Sequence, residues 1–488
     1  MTRRAKLGRS RLAALDVGTE ALDRRRKLLV LVTCCMSILI VSLDATIVNV
    51  ALPSIHRSLN GSFSGLQWTI DAYTLVLASL LMLAGSTADR IGRKRVFQAG
   101  LTVFALGSLL CALAPSLGAL VAARVLQAIG GSMLNPVAMS IIRNVFEDAR
   151  ERAQAIGVWA GVVGISMALG PVAGGALVDW GGWRLVFLVN VPIGILALLL
   201  TALLVPESRA PHPRRRDPVG QVIVMVMLFS LTYSIIEGPR AGWDSPAIVA
   251  LFALAAACLA ALIPYELRRR EPLIDPRFFR SPSFAGASVT AVLAFAVLGG
   301  FLFLNTIYLQ EARGLSPLEA GLYTSPMALG WVVFGPLSGR LVGKLGPRPS
   351  LLVAGVAITA GAALLTSITP HTAPGYLFAA YAIVGLGLGL VNPPITNAAV
   401  SGMPSAQAGV AAAVASTSRL VGVTLGVAVC GAIAGGATTV AIGPDFAAAS
   451  HPAWWLMTVF GVAILVLGAV TTTERAKASA ARAARALA

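Results

Sequence analysis

Gly85-Ser86-Thr87-Ala88-Asp89-Arg90-Ile91-Gly92-Arg93-Lys94-Arg95 is a short, strongly charged stretch between two long apolar runs. A shift of 254 residues finds it again as Gly339-Arg340-Leu341-Val342-Gly343-Lys344-Leu345-Gly346-Pro347-Arg348. Both glycines and the basic residues at 90 and 94 recur in the second copy, while Asp89 becomes Gly343. The chain therefore reads as two six-span halves with two further spans between them. Internal repeats of this kind mark carriers whose substrate path runs between the halves near the bilayer midplane.

Outward from those two loops, the chain alternates long apolar runs with brief polar breaks. Of 488 residues, 57% are hydrophobic and only 12% charged, against roughly 25% charged in a soluble domain, so lipid is the expected solvent. A helix needs about 20 largely apolar residues to cross a bilayer. The breaks predict fourteen such helices, at 28–53, 66–88, 96–114, 117–143, 155–178, 183–205, 219–236, 245–265, 284–309, 316–339, 351–369, 375–397, 409–434 and 453–472. The expected fold is an all-α polytopic membrane protein. It has a basic segment 1–27, a six-helix bundle 28–205, a linker 206–283 carrying the two inserted helices, a second six-helix bundle 284–472 and a tail 473–488.

Charge placement supports the same alternation. If the N-terminus is cytoplasmic, 32 of the 38 Lys and Arg residues fall on the inside and 4 on the outside, with Arg124 and Arg419 within spans. Such a bias is what the positive-inside rule expects, and it places both termini in the cytoplasm. The net charge of +17 then reflects topology and attraction to anionic lipid headgroups, with Arg24-Arg25-Arg26-Lys27 and Arg214-Arg215-Arg216 beside span ends. No soluble domain exists to carry nucleic-acid binding. The five cysteines all lie in predicted spans without metal-ligand spacing. The charged N-terminal stretch precedes a long span with no small-residue cleavage site, so no removable signal is expected.

Two charged residues in the first half stand out by depth. Asp44 lies nine residues before Pro53, roughly 14 Å inward from the predicted outer end of its helix. A carboxylate there costs at least about 2.5 to 3.5 kcal/mol, and burial favours the neutral form of an acid, so Asp44 is the first candidate to bind and release a proton. Arg124 is expected about 10 Å inward along its own span. It keeps its proton, and so would respond to the charge of Asp44. The pair makes a two-state element that a proton can bias; a fixed structural ion pair is the alternative. Among other polar residues in spans, Asn49, Asp71, Gln127, Asn305, Asn392 and Arg419 are the substrate-cavity candidates. Asp71 would face the cavity or the interface, and Asn305 and Asn392 would line the cavity or join helices. All four histidines are expected in loops.

The glycine-bearing segments read as packing and gating elements. In the loop holding Gly85, Asp89, Arg90, Gly92 and Arg93, glycines let helix ends turn sharply. Asp89 would cap a helix N-terminus or pair with an arginine, latching the cytoplasmic side; a solvated loop is the alternative for the basic residues. Gly164, Gly170, Pro171, Gly174 and Gly175 allow close helix approach and a bend. Gly385 to Leu390 followed by Asn392-Pro393-Pro394 predicts a helix that packs closely and then breaks.

These segments resemble the major facilitator superfamily, specifically its fourteen-span drug:proton antiporter branch, along nearly the whole chain. The stretch from Gly85 to Arg95 is similar to that superfamily's G-x-x-x-D-R-x-G-R-K signature, with Thr87 where Leu is common. Leu43 through Pro53 resembles the first-span motif of the fourteen-span branch, and Arg124 through Gly131 the fourth-span R-x-x-Q motif. Gly164 through Gly175 is similar to the fifth-span motif of antiporters, and Trp183 through Phe187 with Asn190 and Pro192 to the opening of the sixth span. The resemblance implies a bacterial inner-membrane antiporter, functional as a monomer, that exports small amphiphilic drugs or antibiotics. A dedicated exporter of a lipid or secondary metabolite and a non-transporting sensor are the other readings.

No G-x-x-x-x-G-K-[ST] loop occurs and no extramembrane segment is long enough for a nucleotide-binding domain, so no cofactor is expected and protons are the expected driving force. One pH unit supplies about 1.4 kcal/mol and 100 mV about 2.3 kcal/mol per charge, so one proton supports roughly a 500-fold substrate gradient.

Overall fold

The computed structural model describes residues 23–210, 217–269, 271–400, 408–436, 443, 445–473 and 479. Most of the basic N-terminal segment, the Arg214 to Arg216 cluster, His212 and most of the tail lie outside the described residues.

Every predicted span is a helix. In chain order these are α1 (Arg24–Leu59), α2 (Phe63–Ile91), α3 (Arg93–Ala112), α4 (Leu117–Val145), α5 (Ala149–Gly181), α6 (Arg184–Leu204), α7 (Pro218–Ala241) and α8 (Pro246–Leu267). The second half continues with α9 (Pro282–Ile307), α10 (Pro317–Leu345), α11 (Pro347–Leu365), α12 (Pro374–Val400), α13 (Ala408–Gly436) and α14 (Phe446–Thr471). Among the described residues, thirteen of these are long and apolar enough to cross a membrane, all but α10, whose sequence carries Pro326, Pro336, Arg340 and Lys344. Helices suit lipid because each satisfies its own backbone hydrogen bonds. Exposed apolar side chains such as Leu199, Leu259, Val356 and Val462 clothe the outer surface.

Several starts share one local cause. Asp217, Ser245, Ser281 and Ser316 each cap a helix with a side-chain oxygen, and each is followed by proline at the first helical position, where a missing N–H costs nothing. Internal prolines fail to end their helices. α1 runs through Pro53 to Leu59, beyond the predicted end, and α12 runs through Pro393 and Pro394 to Val400 instead of breaking. Each proline deletes one backbone bond, and packing against neighbours holds the rest. His56 and His451 accordingly lie in α1 and α14 rather than in loops.

The halves meet at the ends of the helices away from the N-terminus. There Gln310 Nε2 donates to the Val50 carbonyl at 2.8 Å, Arg57 pairs with Glu311 at 3.2 Å, and Leu318 N donates to Asp179 Oδ2 at 3.1 Å. Arg57 and Glu311 are 254 residues apart, so repeat-equivalent positions meet where the two halves face each other. A π-turn at Tyr308–Ala312 extends α9 and presents Gln310 and Glu311 to α1. A Cβ on Gly175 would collide with the backbone at Pro317, and one on Gly321 with the backbone at Pro171. Phe63 stacks edge-on against Phe303 with centroids 5.5 Å apart. Toward the opposite face the same helices part: Cβ atoms built on Gly157, Gly161 and Gly164 of α5, or on Gly339 and Gly343 of α10, would meet open space.

The inserted pair forms a hairpin whose first helix packs on both halves, against α2 of the first and α13 of the second. α7 holds α2 through Trp68 Nε1 donating to Glu237 at 3.0 Å, Gln221 donating to the Ser79 carbonyl, and Trp68 packed on Phe229 and Tyr233. At the base of the hairpin, Asp217 accepts from Gly220 N at 3.0 Å, Tyr265 Oη at 2.7 Å and Arg269 Nη2 at 3.2 Å. Burial works to raise the Asp217 carboxyl, but these donors hold it below its ordinary range. A carboxyl depressed in this way stabilises the fold above its unfolded value and loses that contribution on protonation. Asp217→Ala is therefore expected to destabilise the protein by about 1 kcal/mol at neutral pH, with the difference from wild type shrinking as pH falls through the carboxylate range. Thermal melts of the purified protein at neutral and acid pH check both parts.

Candidate functional site

Asp44 and Arg124 meet inside the first half. Arg124 Nη1 lies 2.5 Å from Asp44 Oδ2, with the two side chains 1% and 0% exposed. Around them, Gln127 Nε2 donates to Asp44 Oδ1 at 2.9 Å and Asn190 Nδ2 to the same oxygen at 3.0 Å. Gln127 also donates to Ser108 Oγ at 2.8 Å and accepts from Arg124 Nη1 at 2.6 Å, while Arg124 Nε donates to the Thr69 carbonyl at 3.0 Å. The guanidinium lies 4.1 Å from the centroid of the Tyr73 ring. The cluster thus draws on α1, α2, α3, α4 and α6. Removing one partner of such a buried pair leaves an uncompensated charge, so the charge state of Asp44 governs how these five helices hold together.

Gln127 belongs to this network rather than to a cavity. Asn49 donates to the carbonyls of Ala45 and Thr46 in its own helix. Asn305 donates to Thr324 at 3.3 Å and accepts from Tyr381, joining α9, α10 and α12. Asn392 is partly exposed on α12, its carbonyl accepting from Thr396. Arg419 donates to Thr396 and Ser416, all within the second half, with no ion pair among the described residues. Asp71 is fully buried on the α2–α13 seam. None of the six lines the cleft between the halves.

Between the halves lies a small apolar cleft lined by Thr46, Gly164, Met167, Ala168, Leu298, Leu302, Met327, Ala328 and Trp331. Its walls come from α1 and α5 of one half and α9 and α10 of the other, and they are almost wholly apolar. Gly164, expected among close-packed glycines, borders this space, and the tight packing begins only at Gly170 and Gly174, where an added Cβ would collide with Thr46 and Ile47. Among the residues that sequence reasoning missed, Asn190 was read only as part of a motif, and the cleft-lining side chains carry no polar signal at all.

At the loop after α2, Asp89 accepts from Arg93 Nε and Nη2 at 3.2 and 3.0 Å, one turn away. The neighbouring helix N-terminus is served instead by Glu207, which accepts from Lys94 N at 3.2 Å and pairs with Arg95 at 3.6 Å. Arg93 N donates to the Ser208 carbonyl and Ala210 N to the Asp89 carbonyl. The segment after α6 therefore fastens the loop, with Gly92 at φ 126° making the turn.

Residues 34–427 match the model of the Major Facilitator Superfamily. The chain is 37% identical over 409 residues, covering 84% of it and 76% of the relative, to the Multidrug resistance protein Stp of Mycobacterium tuberculosis. It is 35% identical over 396 residues to the Methylenomycin A resistance protein of Streptomyces coelicolor, covering 80% and 82%. Among solved structures, a bacterial homologue of the human lysosomal transporter Spinster, in an inward-facing and unoccupied conformation, superposes with a TM-score of 0.63 at 21% identity, covering 95% of this chain and 98% of that one.

Because a Cβ at Gly164 enters the cleft freely, Gly164→Leu is expected to leave the melting temperature within a degree or two while weakening binding of bulky amphiphilic dyes about tenfold, the order of one lost large apolar contact. Gly170→Leu, forced against Thr46, lowers the melting temperature instead. Thermal melts and dye titration of the two variants separate these effects.

Proposed function

The chain belongs to the Major Facilitator Superfamily, and we propose on that premise that it is a proton-coupled antiporter exporting small amphiphilic drugs or antibiotics by alternating access. The observation that carries this reading is the buried Asp44–Arg124 pair, two residues along α1 from Thr46 in the wall of the apolar cleft. An ionised Asp44 keeps the pair closed and the five helices of its cluster together. A proton taken up by Asp44 discharges the pair and releases Arg124, giving the first half a second arrangement.

The cleft suits an amphiphile: Met167, Met327 and Trp331 supply adaptable apolar contact, and the glycines of α5 and α10 that border open space, Gly157, Gly161, Gly339 and Gly343, lie toward the face that carries the N-terminus. We take that face as cytoplasmic, from the placement of basic residues, with the protein in the bacterial cytoplasmic membrane, both termini inside. One chain contributes both walls of the cleft, so a monomer suffices, and protons are the only driving force required. A dedicated exporter of one secondary metabolite is the second reading, favoured by the relative named for resistance to a single antibiotic, methylenomycin A.

Asp44→Asn keeps a hydrogen-bonding side chain but removes the titratable charge, so it is expected to reach the membrane at normal levels while efflux of dyes and antibiotics falls to the level of cells lacking the protein. Efflux by that variant at the wild-type rate contradicts the mechanism.

A further inference from the structure

The seam between α2 and α13 is closed by hydrogen bonds that cross from one half to the other. Gln67 Nε2 donates to the carbonyls of Val427 and Ala428 at 3.2 and 3.0 Å, and Thr74 Oγ1 lies 2.8 Å from Thr424 Oγ1. Asp71 sits between them on the same helix, four residues after Gln67 and three before Thr74, so the helical period puts all three on one face. It is 0% exposed, its Oδ1 is 3.5 Å from Thr74 Oγ1, and its Oδ2 has no hydrogen-bond partner.

No ion pair reaches it among the described residues. Of the elements packed on α2, α4 brings Arg124, already held by Asp44, Gln127 and the Thr69 carbonyl, beside the Tyr73 ring of α2 itself. α3 brings Cys111, and α1 brings Asp44. α7 brings Tyr233 and Glu237, both engaged by Trp68. α13 brings Cys430 and also Arg419, which is held by Thr396 and Ser416. A carboxylate without counter-charge in so dry a place is costly, whereas a carboxylic acid fits a closed seam.

We propose that Asp71 is a second proton-binding site, separate from the Asp44 pair, and that the α2–α13 seal closes only over its protonated form. When the seam parts, water reaches the carboxyl and it exchanges its proton with the face away from the termini. Closure then carries that proton into the seal, tying closing of this face to proton uptake from it. The inference rests on the transport reading only for the identity of that face as external.

The test places a cysteine at Ala428, whose carbonyl lies in the seam, and follows its reaction with a membrane-impermeant maleimide in purified full-length protein, above the background of the five native cysteines. With Asp71 intact, labelling, expressed at each pH relative to the same protein denatured so that the pH dependence of the thiol itself cancels, is expected to rise at least about fivefold from acid to alkaline pH as the acid ionises and the seal opens. In Asp71→Asn it stays at the low-pH level throughout, and Asp71→Glu restores a pH response. A response in Asp71→Asn equal to that of the parent, or a parent whose labelling ignores pH, overturns the proposal. Should Asp71→Asn fail to fold, Asp71→Glu decides alone, since an unmoved midpoint in that variant overturns it equally. No substrate is needed, so a parent that labels as expected yet moves no protons with substrate refutes the antiport reading and leaves this site standing.

Discussion

The ion pair between Asp44 and Arg124 is the interaction on which the first half of this molecule depends. Both side chains are essentially without solvent contact, and the desolvation of two charges is offset only where the remaining hydrogen-bonding groups are also satisfied. Gln127, Asn190, Ser108 and the Thr69 carbonyl do this, and in doing so they bring five helices to one point. A bundle made only of apolar helices would have little to fix its rotations, because lipid tails are as apolar as the side chains between them. The polar cluster supplies that specificity and makes it conditional on one carboxyl's charge.

The contacts between halves are of another kind. They gather at one face and rely on backbone: carbonyls of Val50, Val427 and Ala428 accept from glutamines, and glycines at 175 and 321 let α5 and α10 approach without side chains between them. Such contacts are directional but individually modest, which suits the parting and closing that the proposed transport cycle requires. At the other face the helices diverge around an apolar cleft. The inserted hairpin touches both halves, bonded to α2 by Trp68, Glu237 and Gln221 and packed on Val421 of α13.

Much of the fold was legible because its cause is written in composition: runs of apolar residues long enough for a bilayer, broken by caps and basic loops. The Asp44–Arg124 meeting was legible too, from depth arithmetic along two helices. Asn190, 146 residues from Asp44, was not, since nothing local marks a residue that completes a distant shell. The cleft escaped for a different reason. A search for polar residues in spans selects groups that find partners, and Asn49, Gln127 and Asn305 have theirs inside single halves, while the side chains around the cleft are apolar and indistinguishable from core. Helix ends were also misplaced at Pro53 and Pro394, where tertiary packing overrides a local breaker. Of the two roles expected for Asp89, pairing with an arginine is the one found, while Glu207, far along the chain, serves the helix start.

In the proposed cycle, movement of an amphiphile through the cleft is exchanged for movement of protons. Purified protein in liposomes loaded with a pH-sensitive dye, challenged with a fluorescent amphiphilic cation, measures both fluxes at once. The account predicts proton movement opposite to the cation, started by its addition and driving it against its gradient when a pH difference is imposed. Cation flux that proceeds with no accompanying proton movement and ignores the imposed gradient contradicts it.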